Sequence, residues 1–110
     1  MQKDMGIDEF FQEISNFTDT VYDIDVTNRF KKQINLAFKR NLNLELLKNV
    51  IYTLAKGEEL AENHRQHKLT GFAENIWECH IKPDWLLIWK YSDNELVLVL
   101  MGTETHSDLF

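Results

Sequence analysis

The amino-acid sequence predicts an α+β fold: a helical hairpin packed on a mostly antiparallel four-stranded sheet, with an extra helix at the N-terminus. Three observations support this fold. Apolar residues recur at helical spacing in three segments of the first half, whereas two strongly apolar runs, 85–91 and 96–101, lie in the second half. The turn formers Ser92-Asp93-Asn94 separate these runs, which are therefore predicted to form a hairpin of central strands covered on both faces.

Each predicted helix has one apolar face and a recognisable boundary. The first lies within residues 5–17 and carries acidic residues beside its apolar face. The second follows Thr27, a residue type that commonly caps a helix N-terminus, and is interrupted at residues 41–43. The third ends near Lys56-Gly57, since a cation followed by glycine is typical of a helix C-terminus. The second and third helices form the predicted hairpin.

Two more strands are predicted before the apolar hairpin. Residues 22–26 alternate between apolar and acidic side chains, which is typical of a half-exposed strand. Residues 76–81 are predicted to form a strand with Glu78 and His80 on one face and Cys79 on the other. The polar segment 58–70 is predicted to be a loop.

The composition is that of one globular domain. The 110 residues are 44% hydrophobic and 27% charged, and no apolar run approaches the roughly 18–20 residues that a membrane-spanning helix needs. The single cysteine excludes an internal disulfide, and the acidic N-terminus lacks the apolar stretch of a signal peptide. Together these features predict a cytoplasmic protein. The net charge of −6 argues mildly against nucleic acid as a partner.

The charge is unevenly distributed along the chain. Residues 1–20 contain five acidic residues and one lysine, whereas residues 28–40 contain five basic residues and no acidic one. We therefore divide the chain into an acidic N-terminal helical extension, 1–20, and a main domain, 21–110. The extension is predicted either to dock on the core or to mask basic residues such as Arg29 and Lys32.

Three histidines lie at or near predicted strand ends: His67, His80 and His106. An imidazole exchanges a proton near neutral pH, so two of them flanking a phosphodiester could cleave RNA without a metal. One would remove the 2′-hydroxyl proton and the other would protonate the leaving 5′-oxygen, while Asp84 could orient a histidine. Predicted substrate contacts are the cations Lys68, Arg29 and Lys32 and the aromatic residues Trp85 and Phe110.

These residue types also have structural interpretations. A histidine on a strand commonly serves only as a hydrogen-bonding group, and tryptophans in apolar runs are typical core residues. His64 and His67 with Cys79 and His80 give only a weak zinc pattern, because no Cys-x-x-Cys pair is present. The sequence has no glycine-rich phosphate loop, so no nucleotide cofactor is predicted.

Three blocks of the sequence resemble the YafQ-type toxins, which belong to the RelE/ParE superfamily of bacterial toxin–antitoxin modules. The blocks are His67-Lys-Leu-Thr-Gly71, Glu78-Cys-His80-Ile-Lys-Pro-Asp84-Trp85-Leu-Leu-Ile and Thr105-His106-Ser-Asp-Leu-Phe110. The resemblance covers residues 21–110 and implies a RelE-like fold. It further implies a ribosome-dependent endoribonuclease that cuts messenger RNA, needs neither metal nor organic cofactor, and is neutralised by a cognate antitoxin.

The resemblance also implies a role for each matched residue. The catalytic set is His67, His80, Asp84 and His106, with His80 and His106 in proton transfer. Asp84 is expected to orient a histidine and His67 to contact phosphate.

Three positions depart from the family pattern. Trp77 and Gly102 stand where an arginine is common, and Glu104 stands where glycine is common. Losing cations and gaining an acid near a phosphate weakens transition-state stabilisation. Two alternatives therefore remain: a catalytically weakened RelE-fold module that binds only antitoxin or ribosome, and a ParE-like gyrase poison, which needs no histidine set.

Overall fold

The structure, a computed structural model, describes residues 5–72, 75–92 and 95–105. Three α-helices, one 3₁₀ turn and five strands occur within these ranges. In chain order they are α1 (Ile7–Ser15), β1 (Asp23–Val26), α2 (Asn28–Lys39), α3 (Leu44–Ala55), the 3₁₀ turn (Glu62–His64), β2 (His67–Lys68), β3 (Ile76–Lys82), β4 (Trp85–Tyr91) and β5 (Val97–Gly102). Among the described residues, no helix is both long and apolar enough to cross a membrane.

The five strands form one mixed sheet in the order β1-β5-β4-β3-β2. The β2–β3, β3–β4 and β4–β5 pairs are antiparallel, and β1 runs parallel to β5. The α+β fold and the mostly antiparallel sheet are confirmed, but the predicted number of four strands is wrong. The fifth strand, β2, lies inside the segment 58–70 that was predicted to be a loop. Two polar residues carry no periodicity, so only their pairing with β3 reveals this strand.

The helix boundaries follow the predicted local chemistry. Thr27 caps α2, because its hydroxyl oxygen accepts a hydrogen bond from the backbone N–H of Phe30 at 3.1 Å. Asn43 caps α3 in the same way through the N–H of Glu45. After α3 the chain reverses at Gly57, whose φ of +74° is readily adopted only by glycine.

The helices pack on one face of the sheet, where alternate residues of β4 and β5 are buried. On β4 the buried residues are Trp85, Leu87 and Trp89, whereas the side chains between them are only half-buried. The prediction that both faces would be covered is therefore wrong. We call the face away from the helices the open face; it carries Glu78, its cross-strand neighbours His67 and Ile88, and His80.

The N-terminal helix α1 docks on the helical hairpin. Its residues Phe10 and Ile14 belong to the same hydrophobic core as the rest of the chain, with Phe10 completely buried. Glu13 forms an ion pair of 2.8 Å with Lys48 on α3. The structure thus supports the prediction that the N-terminal extension docks on the core.

The basic residues that the extension was predicted to mask are exposed to solvent on α2. They are Arg29, Lys32 and Lys39. Arg29 pairs with Glu104 rather than with an acidic residue of α1. No such ion pair is seen within the described part of the extension, 5–20, and residues 1–4 lie outside the described residues, so masking of these cations stays a prediction.

Candidate active site on the open face of the sheet

His67 is held by two oxygen atoms at the edge of the sheet. The β2–β3 register places it directly opposite Glu78, and its Nε2 lies 3.2 Å from the Glu78 Oε1. Its Nδ1–H donates to the backbone carbonyl of Arg65 at 2.9 Å. Because both ring nitrogens face acceptor oxygens, the arrangement is fully hydrogen-bonded when the imidazole carries two protons. Both N–H groups of that form are engaged by protein oxygens, so the predicted contact of His67 with a phosphate stays a prediction.

His80 lies two residues further along β3, on the same face as Glu78. Its Nδ1 is 3.1 Å from the carbonyl oxygen of Pro83 in the turn between β3 and β4, so this N–H is the donor and Nε2 is the other nitrogen of that tautomer. The backbone carbonyl of His80 in turn accepts a hydrogen bond from the His64 ring at 2.7 Å. The turn therefore fixes the orientation of His80 and leaves Nε2 suited to proton exchange.

Asp84 does not supply these orienting contacts. The histidines of the open face are held by Pro83 and Glu78, while Asp84 is exposed in the β3–β4 turn. For His67 and His80 the predicted orienting role of Asp84 is thus wrong. His106 and Phe110 lie outside the described residues, so their predicted roles, and any contact between Asp84 and His106, stay predictions.

Trp85 was predicted to stack on a base, and the structure corrects this expectation. Its side chain is 1% exposed, and its indole N–H donates to the Thr103 hydroxyl at 2.8 Å. That hydroxyl donates onward to the Leu86 carbonyl, also at 2.8 Å. The pairing of β3 with β4 shifts between His80 and Lys82, and Trp85 falls on the helix-facing side with the buried alternate residues of β4.

The three cations that were predicted to contact the substrate lie on two different elements, β2 and α2. Lys68 is exposed on β2 and lies 5.9 Å from the ring centre of Trp77. Arg29 and Lys32 are exposed on α2, and Arg29 pairs with the Glu104 carboxylate at 3.2 Å. Arg29 and Glu104 line one groove of the open face.

The space at Gly102 is filled by side chains from α2. A Cβ atom at this position would lie 2.8 Å from the Gln33 Oε1 and 3.7 Å from the Arg29 Nε. Gln33 is itself held in place, because its Oε1 accepts a hydrogen bond from the Thr103 N–H at 2.7 Å. The arginine that is common at this position in the family would therefore not fit without moving Gln33.

Sequence reasoning missed several residues beside the histidines. Glu78 was predicted only to share a face with His80, yet it contacts His67. A groove of about 590 Å³ next to His80 is bordered by Arg65 and Lys82, two exposed cations. The polarity of segment 58–70 was the available signal for Arg65, but polarity alone does not distinguish a ligand-binding segment from a solvated loop.

Cys79 is inert in this environment. It is completely buried on the helix-facing side of β3, and burial raises the pKa of its thiol to about 12. Neither nucleophilic nor metal-binding chemistry suits a thiol that stays protonated. Across 5–72, 75–92 and 95–105, no group of three or more histidine, cysteine or acidic side chains is arranged to hold a metal ion.

Comparison with known proteins gives a consistent result. A family profile described as the bacterial toxin YafQ of type II toxin–antitoxin systems matches residues 22–110. The mRNA interferase toxin YafQ of Escherichia coli K12 is 32% identical over 89 residues, which are 80% of this chain and 95% of that protein.

Solved structures of bacterial toxins are also similar to this chain. A metal-bound toxin from Helicobacter pylori matches with a TM-score of 0.73 and 34% identity, covering 79% of this chain and 97% of the other. The E. coli DinJ–YafQ toxin–antitoxin complex matches with a TM-score of 0.72 and 31% identity, covering 82% of this chain and 98% of the other. Helix α1 precedes the residues that the family profile matches.

Proposed function

Because this chain belongs to the YafQ family of type II toxins, we propose that it is an mRNA interferase, an endoribonuclease that cuts messenger RNA on the ribosome. The observation that carries the proposal is the family match over residues 22–110, which includes every predicted catalytic residue. The placement of His67 and His80 on one accessible sheet face supports it.

The proposed reaction is metal-independent and uses two histidines for proton transfer. His80, with Nδ1–H held by Pro83, exchanges a proton through Nε2. His106 serves as the second proton-transfer group. One of the two removes the proton from the 2′-hydroxyl, whose oxygen attacks the adjacent phosphorus, and the other protonates the departing 5′-oxygen. Each such transfer is typically worth about 10²–10⁴-fold in rate.

His67 has a different proposed role. Its Nε2 faces the Glu78 carboxylate and its Nδ1 faces the Arg65 carbonyl. An imidazole N–H of His67, released from one of these oxygens, donates to a phosphate oxygen, which gains negative charge in the transition state. Asp84 orients His106 in this scheme.

Partners and location follow from the proposed reaction. The substrate is messenger RNA on the ribosome, which places the protein in the cytoplasm. A cognate antitoxin is the second partner, by analogy with the E. coli toxin that was solved as the DinJ–YafQ complex.

The test is messenger cleavage in a reconstituted translation reaction. Full-length protein is compared with the His80→Ala variant and with Gln12→Ala, a surface control on α1 whose residue is exposed and remote from the open face. We expect ribosome-dependent cleavage by the wild type and the control, and a loss of at least about 100-fold in His80→Ala. Cleavage that persists unchanged in His80→Ala would exclude the proposed mechanism.

A second candidate function is a binding module that has lost most of its activity. The ion pair between Arg29 and Glu104 favours it, because an acid occupies the cation that a phosphate would otherwise contact. Under this alternative, well-folded wild-type protein binds antitoxin or ribosomes but leaves messenger intact.

A further inference from the structure

A groove of about 450 Å³ lies on the open face next to the His67–Glu78 pair. Its apolar lining includes Leu69, Ile76, Ile88 and Met101. Glu78 borders the groove on the side of His67, and Arg29 borders it as well. The groove therefore lies beside two residues that were predicted to contact the substrate. Arg29 lines the groove, and His67 contacts Glu78, which also lines it.

Phe72 gives this groove an aromatic wall. Its side chain is 58% exposed, although a phenylalanine ring is normally buried. The ring lines the same groove as several aliphatic side chains, so a flat apolar group that enters the groove could contact both. This is the arrangement by which proteins hold an unpaired nucleic-acid base.

We propose that this groove binds one unpaired base of the messenger, with Phe72 stacked against the base. The inference rests on the proposed function and adds a base-binding subsite to it. Trp85, the aromatic residue first expected to stack, is buried on the opposite side of the sheet. Phe72 supplies an accessible aromatic ring on the face that carries His67 and His80.

The shape and polar rim of the groove favour a base over a protein segment. A helix with its side chains is about 10–12 Å across, so only single side chains of a helix could enter a groove of this size, whereas a whole base could. The carboxylates of Glu78 and Glu104 border the groove and can accept hydrogen bonds from the N–H groups on a base edge. Arg29 also borders the groove, where its guanidinium is paired with Glu104.

The experiment measures single-turnover cleavage by full-length protein on ribosomes that carry short synthetic messengers. In each messenger one nucleotide near the cleavage site lacks its base. For the wild type, removal of one particular base should slow cleavage by about 10-fold, which corresponds to the usual strength of stacking on an aromatic side chain. Phe72→Ala should cleave the intact messenger about 10-fold more slowly and should no longer respond to removal of that base.

Two further variants distinguish stacking from a general effect. Phe72→Tyr keeps an aromatic ring and should retain the wild-type dependence on that base. Leu96→Ala removes another exposed apolar side chain, 64% exposed and just before β5, and should behave as the wild type does. Because Phe72 and Leu96 are both exposed, neither truncation should prevent folding.

The possible failures are distinguishable. A wild-type protein that cleaves no messenger would overturn the proposed function and this inference with it. A wild type that cleaves, together with a Phe72→Ala variant whose dependence on each base is unchanged, would refute the base-binding groove alone. Weaker antitoxin binding by Phe72→Ala with an unchanged cleavage profile would assign the groove to the antitoxin and also refute the inference.

Discussion

Replacing Trp85 with phenylalanine should weaken the fold rather than remove a direct contact with RNA. The side chain is 1% exposed, and its indole N–H donates to the Thr103 hydroxyl. The smaller ring leaves part of a packed site empty, which we expect to cost about 1–2 kcal/mol. The lost hydrogen bond adds about 1 kcal/mol. The free energy of unfolding should therefore fall by about 2–3 kcal/mol in Trp85→Phe.

A double-mutant cycle separates these two contributions. Thr103→Val keeps the side-chain volume but removes the hydroxyl that links the Trp85 indole to the Leu86 carbonyl. We expect a cost of about 1–3 kcal/mol for this variant, and a coupling energy of about 1 kcal/mol between the two sites. Urea unfolding followed by far-ultraviolet circular dichroism measures all four free energies.

One outcome would refute the structural role of Trp85. In this outcome, Trp85→Phe loses less than about 0.5 kcal/mol of stability, as an ordinary surface substitution does, but its cleavage of messenger falls strongly. In that case the indole would act at the surface, as the stacking interpretation required. A large loss of stability, with cleavage preserved under conditions where the variant is folded, would support the buried role.

Three more predictions concern other contacts in the structure. Glu78→Gln replaces the carboxylate that faces His67 by a neutral amide, so cleavage should fall about 10-fold and stability should fall by about 1 kcal/mol. Gly102→Arg should cost about 1–3 kcal/mol and should not increase cleavage, because its Cβ would meet Gln33. The hydrogen bond from Lys48 lowers the pKa of Glu13, so the stability advantage of wild type over Lys48→Met should be full above pH 4.5, the ordinary pKa, and vanish as the pH falls below it.

Each of these predictions has its own control. Cleavage by Glu78→Gln is compared at a protein concentration and temperature at which circular dichroism shows both proteins folded. Adding Gln33→Ala to Gly102→Arg should recover part of the lost packing energy, and a single Gly102→Arg variant with higher cleavage and unchanged stability would contradict the reasoning. For Lys48→Met, urea midpoints at several pH values test the last prediction, which fails if the difference from wild type is independent of pH.

Structural elements that depend only on neighbouring residues could be predicted from the amino-acid sequence. The Thr27 cap, the Gly57 turn and the strand at 85–91 lie where they were predicted, because side-chain spacing and backbone preference act over a few residues. The three sequence blocks also identified the toxin family that the comparisons show. The assignments of His106 and Phe110 came from those same blocks and stay predictions.

Contacts between distant side chains, in contrast, are visible only in the folded chain. The strand β2 has two residues and exists through its pairing with β3, which brings His67 against Glu78. Helix packing on a single face of the sheet buries Trp85 together with Leu87 and Trp89, and it leaves Phe72 and its groove open. These contacts join residues from different strands and helices, so their geometry depends on register and packing rather than on local sequence spacing.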